Sequence, residues 1–158
     1  MSTSTSVSAE FSRPSRRKPG DSGPVRFLDA AGFERFEAGP EEMPVFSRNG
    51  AILPLGSDPM KLHYFPRLGG EFFLFESDMG EYSQVHAGPA GDFMRLEIES
   101  KKDRAYEWIV HHLARPRKVV SAGVELPAEA WFYDANSKNL HVRMTGRADA
   151  DEIVNIWF

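Results

Sequence analysis

Glu76 and Asp78 stand two residues apart in a strand-like stretch, with Glu81 close behind. On a strand both side chains project from one face, so the pair could serve as general acid and base or hold a cation. His111 and His112 are adjacent; on a strand they face opposite ways and cannot share a metal without distortion. His63, His86 and His141 lie on other segments, so a metal site would need long-range convergence, and structural histidines are the expectation. The aromatics Phe72, Phe73, Phe75, Tyr82, Tyr106, Trp108, Trp131, Phe132, Tyr133 and Trp157 could include a platform for the flat apolar faces of sugar rings. Most must build the core, which leaves one or two of them for solvent. No Gly-x-Ser-x-Gly elbow occurs, and Gly69-Gly70 precedes a strand rather than a helix, so neither triad hydrolysis nor phosphate cradling is signalled. Neither a metal nor a cofactor is called for.

These residues are carried by segments whose dominant period is two. Met94, Leu96 and Ile98 alternate with Arg95, Glu97 and Glu99, and Leu140, Val142 and Met144 alternate with His141, Arg143 and Thr145. Such alternation marks strands with one dry and one wet face. Tyr106 to His112 is partly apolar on both faces, as a central strand would be, and so is Ile153 to Phe158 apart from Asn155. Breakers recur at Gly69-Gly70, Gly88-Pro89, Lys101-Lys102-Asp103, Pro116, Ser121-Ala122-Gly123, Asp134 to Asn139 and Gly146 to Asp151. Turn signals at that spacing predict an all-β, antiparallel β-sandwich or barrel with no long helix. Asp134 to Asn139 is the clearest hairpin connection; it should pair Trp131 to Tyr133 with Leu140 to Met144, with an Asn available for positive φ.

With 158 residues, 41% of them apolar, the chain can bury one ordinary core. Its net charge of −4 and dispersed basic residues provide no cationic face for nucleic acid. The absence of cysteine excludes a disulfide framework and a thiolate site; it fits a reducing compartment, so a cytoplasmic location is slightly favoured over a periplasmic one. No stretch approaches the roughly 20 apolar residues that cross a bilayer, so no membrane role is expected. Residues 1–24 are rich in Ser, Thr, Pro, Arg and Gly, with Val7 and Phe11 nearly alone as apolar groups. They read as a disordered leader, and Arg16-Arg17-Lys18 as a solvated cluster within it.

Against this background Pro44-Val45-Phe46-Ser47-Arg48-Asn49-Gly50-Ala51-Ile52-Leu53-Pro54-Leu55 resembles a signature that follows the catalytic barrel of glycoside hydrolase family 31 enzymes, where it typically runs Pro-Val-Phe-Val-Arg-Ala-Gly-Ala-Ile-Ile-Pro-Leu. Ser47 and Asn49 are the main departures. Leu62-His63-Tyr64-Phe65-Pro66 and Gly69-Gly70-Glu71-Phe72-Phe73-Leu74-Phe75-Glu76-Ser77-Asp78 resemble the family's next two runs in order and spacing. Phe27 to Gly39 resembles an altered form of an upstream hairpin, and Leu140 to Met144 with Ile153 to Phe158 resemble the last strands.

The resemblance implies a division into a leader (1–24), a remnant of the proximal β-sandwich with its connecting segment (25–56) and a distal C-terminal β-sandwich (57–158). It implies that the family's chemistry, retaining cleavage of mainly α-linked glycosides by two barrel aspartates, is not carried by this chain. A barrel alone needs about 250 residues. Within the family the acidic run that corresponds to Glu76 and Asp78 belongs to a strand and turn. The implied role is bracing a catalytic barrel, in a parent enzyme or a separate subunit, with Arg48, Gly50, Ile52 and Pro54 as candidate contacts. The alternatives are a freestanding carbohydrate-binding module and a small enzyme using carboxylates in a cleft that sequence does not reveal.

Overall fold

Strands arise here because apolar side chains recur at every second position and breakers interrupt them before a helical period can form. A computed structural model describes residues 7–10, 25–28 and 45–158, and among them there is no helix. The strands fall into two compact units that divide between Asn49 and Gly50. In the first unit, β1 (Val7–Glu10), β2 (Val25–Leu28) and β3 (Val45–Arg48) make an antiparallel sheet in the order β2-β1-β3. Strand β1 lies within the segment expected as a leader. The rest of that segment, and the resembling hairpin from residue 29 onward, lie outside the described residues.

The second unit is a two-sheet sandwich. One sheet holds β4 (Ile52–Leu55), β5 (Met60–Tyr64), β9 (Arg104–Val110), β12 (Trp131–Asp134) and β13 (Asn139–Gly146), in the order β12-β13-β9-β5-β4. The other holds β6 (Gly70–Glu76), β7 (Glu81–Ala90), β8 (Phe93–Ser100), β10 (Lys118–Ser121), β11 (Val124–Glu125) and β14 (Ala150–Trp157), in the order β11-β10-β14-β8-β7-β6. All pairs are antiparallel except β5 with β9, which run parallel. Three strands of the opposite sheet lie between them in sequence, and that crossover lets the chain re-enter in the same direction.

The core forms where the inward sets meet: Leu62, Leu96, Trp108, Leu140, Val142 and Ile156 are all fully buried. Each contributes about 1.5–3 kcal/mol by leaving water, so the alternation on these strands dictates which face turns inward. Strand β9 lies between β13 and β5, and β14 between β10 and β8, as strands apolar on both faces should. The hairpin of β12 and β13 pairs Trp131 with Val142 and Tyr133 with Leu140. Its left-handed residue is Lys138 (φ 56°) rather than an Asn, while Asp134 accepts hydrogen bonds from Asn136 N at 2.9 Å and Ser137 Oγ at 2.6 Å.

One expected breaker is not one. Strand β7 runs straight through Gly88-Pro89 and turns at Gly91-Asp92, where Gly91 has φ 71°. Proline fits because β6 stops pairing at Gly70 opposite Ala87, so beyond that point β7 has a partner only on its β8 side.

Candidate functional site

The predicted carboxylate pair sits at the end of β6 and the start of the following turn. Glu76 is buried; its Oε1 accepts from Ser83 Oγ at 2.9 Å, and its Oε2 lies 2.9 Å from both Arg104 Nη2 and Lys102 Nζ. Burial alone would raise the Glu76 carboxyl. The hydrogen bonds from Lys102, Ser83 and Arg104 outweigh it and hold the pKa below the ordinary value. Asp78 is exposed and pairs with the same Lys102 ammonium at 3.1 Å, which also holds its pKa down. Lys102 therefore fills the space between the two carboxylates, where a bound cation would otherwise be expected. Glu81 lies directly across from Glu76 in the β6–β7 hairpin and is exposed.

This arrangement is a structural clasp. Ser83 Oγ also accepts from Lys101 N at 3.0 Å, and Ser100 Oγ donates to Lys102 O at 2.6 Å, so the β8–β9 turn is tied to β6 and β7. Both oxygens of Glu76 are engaged by cations or a hydroxyl, and a carboxylate so held is ill-suited to take or give a proton near neutrality. Beside Arg104 lies a shallow open depression of about 390 Å3 lined by Ser57, Asp58, Asp103, Ala105 and Thr145. Asp103 accepts there from Ala148 N at 2.9 Å.

Three of the histidines converge on the outward side of the five-stranded sheet. Cross-strand register places His63 and His141 on either side of Ile109, and His111 follows two residues along β9's direction. His63 Nδ1 lies 3.0 Å from His111 Nε2; the His111 ring stacks on Phe65 at 4.5 Å, and His141 stacks on Phe132 at 4.2 Å with its Nδ1 3.0 Å from Glu107 Oε1. Burial, followed by the charges of His63, His112 and His141, lowers the His111 pKa to about 3. The nearby Asn139 amide works in the opposite direction, yet His111 Nδ1 and Asn139 Oδ1 both lack a well-formed hydrogen bond. His63 is lowered too, chiefly by burial and then by Lys61. Among the described residues no group of three or more His, Asp or Glu side chains is placed to hold a metal ion.

The candidate barrel contacts divide by burial. Gly50 is buried and donates its N–H to Phe65 O at 2.8 Å, and Ile52 belongs to the core. Arg48 is exposed, Pro54 is half-buried, and the departures Ser47 and Asn49 are both buried. The side chains that β4 turns outward are Leu53 and Leu55, which sequence reasoning did not single out. An apolar residue at every position from Ile52 to Leu55 was the available signal, because a strand with one wet face would have carried a polar residue there. Of the aromatics, four rather than one or two face solvent: Phe73 (49%), Phe75 (52%), Tyr82 (53%) and Phe132 (47%).

No protein-family model matches the sequence, and no curated protein matches it. Solved structures do. The cycloalternan-forming enzyme from Listeria monocytogenes, bound to a pentasaccharide substrate, superposes with a TM-score of 0.70 over 85% of this chain at 16% identity, using 15% of its own length. The Gracilariopsis lemaneiformis α-1,4-glucan lyase gives 0.64 over 96% of this chain at 14% identity, using 20% of its length. The Flavobacterium johnsoniae GH31 dextranase gives 0.57 over 73% at 13% identity, again using 20% of its length. The fold is one built into family 31 glycoside hydrolases. The chain thus spans only 15–20% of the length of the enzymes whose fold it shares, and in each of them this β-sandwich is one part of a much longer chain.

Proposed function

We propose that this chain is a non-catalytic β-sandwich of a family 31 glycoside hydrolase system, which braces a catalytic barrel belonging to its parent enzyme or to a separate subunit. The observation that carries the reading is the asymmetry of coverage: 85–96% of this chain superposes on only 15–20% of two larger carbohydrate-active enzymes. The chemistry of the acids is in keeping with it, since Glu76 and Asp78 are neutralised by Arg104 and Lys102 instead of facing a cleft.

The contact with the barrel runs along β4, through Pro54 and the outward Leu53 and Leu55, with Arg48 of the first unit as a separate candidate contact. Apolar side chains left in water on an edge strand favour a covering partner. Arginine adds a planar donor fork for a carboxylate or backbone carbonyl on the other side. Co-expression with a barrel encoded beside this chain tests the proposal. A stable one-to-one complex that is lost in a Leu53→Asp, Leu55→Asp double variant is the expected result, whereas separate elution of two well-folded proteins would contradict it.

A further inference from the structure

The outward face of the six-stranded sheet carries a second group of exposed side chains, independent of the barrel contact. At the β6 edge, Phe75 lies opposite Tyr82, with ring centroids 5.2 Å apart and planes tilted by 51°. One row along, Phe73 lies opposite Gln84, which in turn lies opposite Glu99. Phe73 meets the His86 ring edge to face at 6.4 Å. Three half-exposed rings therefore surround one amide. Gln84 is half-buried, yet its side chain makes no hydrogen bond within the protein, and neither does the Tyr82 hydroxyl.

From this we infer that the Phe73, Phe75, Tyr82 and Gln84 face binds a neutral oligosaccharide. Pyranose rings present apolar C–H faces that suit aromatic planes, and a rim of hydroxyls that both donate and accept hydrogen bonds. Strand spacing of about 4.8 Å sets the Gln84 amide one strand away from the Phe73 ring, a distance comparable to the width of one sugar unit. A primary amide with its donors and acceptor free is suited to adjacent hydroxyls. Charge argues against an anionic ligand: Glu71 and Glu97 border the patch, and Glu99 is already engaged by Lys101 at 3.1 Å. The aromatic part is three side chains on the edge strand and its neighbour, whereas a stable protein interface takes roughly 20–30 residues a side.

Affinity electrophoresis of the full chain in gels holding dextran or amylopectin, with maltoheptaose titration followed by NMR, tests this. Retardation in at least one gel is expected, weakened about tenfold by Phe73→Ala or Tyr82→Ala, retained in Tyr82→Phe and unchanged in Phe132→Ala on the other sheet. In the unsubstituted chain the Gln84 side-chain amide signals should move on adding maltoheptaose, a readout that needs no variant to fold. Free migration in both gels with unmoved Gln84 signals would overturn the inference. Retardation that survives the Phe73→Ala, Tyr82→Ala double variant would do so too, as would a self-association that this face mediates without any glycan. None of these outcomes depends on a barrel partner, so this inference and the bracing role fail separately.

Discussion

Glu76 is the residue on which the candidate chemistry turns, and its surroundings convert it from a reactive group into a tether. With Ser83, Lys102 and Arg104 all directed at it, replacing Glu76 by Gln leaves Arg104 beside a neutral amide and should destabilise the unit by about 2–3 kcal/mol, read as a lower urea midpoint. Its folded pKa lies below the ordinary 4.5, so its contribution is fully present above that pH and is lost as the pH falls through the folded value. His111 acts at higher pH. Its folded pKa of about 3 lies below 6.5, so the unfolded chain takes up a proton first and stability declines as the pH drops below 6.5, by up to about 1.4 kcal/mol per unit. His63 shifts in the same direction. Urea melts between pH 7 and pH 5 should show this decline, and a His111→Phe variant should flatten it; identical slopes in the two proteins would refute the assignment. Neither tether was legible in the sequence. Lys102 and Arg104 lie more than twenty residues from Glu76, and His63 is 48 residues from His111; only the fold brings them together.

At the scale of elements the sequence was far more legible, because period-two alternation reports burial directly. Strands β8, β9, β13 and β14 overlap the patterns read at Met94 to Glu99, Tyr106 to His112, Leu140 to Met144 and Ile153 to Phe158, although β9 stops at Val110 and β14 begins earlier, at Ala150. Gly88-Pro89 misled because the same residues signal a turn or a strand with a free edge, and only the pairing decides which. The parallel register of β5 with β9 left no local trace either, since it is fixed by a crossover through the other sheet. Two element-level predictions follow from packing. Deleting residues 153 to 158 removes the fully buried Val154 and Ile156 and opens the middle of a sheet. At about 2–5 kcal/mol for each large core side chain lost, the truncation should be insoluble, and a soluble product that melts cooperatively would contradict the placement of β14. At the β6 entrance, a Cβ on Gly70 would collide with the backbone carbonyl of Gly50, while Gly50 itself has φ 81° and its own Cβ would fall 2.7 Å from Gly69 O. Gly70→Ala should therefore cost about 3 kcal/mol, whereas Gly80→Ala, which has open space around it, should cost clearly less despite its φ of 72°. Thermal melts of the two variants compare them directly.

As a whole molecule, the chain resolves into a unit with a complete core and two outward faces of different character. Among the exposed apolar groups, Leu53, Leu55 and Phe132 lie on one sheet, while Phe73, Phe75 and Tyr82 cluster at the β6 edge of the other, at the opposite edge from Val124 on β11. Leu53 and Leu55 belong with the proposed barrel contact, Phe73, Phe75 and Tyr82 with the sugar platform, and neither group frames a cleft with converging acids. Fold was readable at this scale because the segment from Pro44 to Leu55 and the alternating strands agree on one architecture. Function was less so, because a surface is made from residues that alternate with the core and carry no pattern of their own. The central claim is that glycoside chemistry belongs to a barrel outside this chain. Its most direct test is turnover of fluorogenic α-glucosides and α-xylosides by the purified protein alone. No release above buffer is predicted; release that disappears in a folded Glu76→Gln variant would contradict the account.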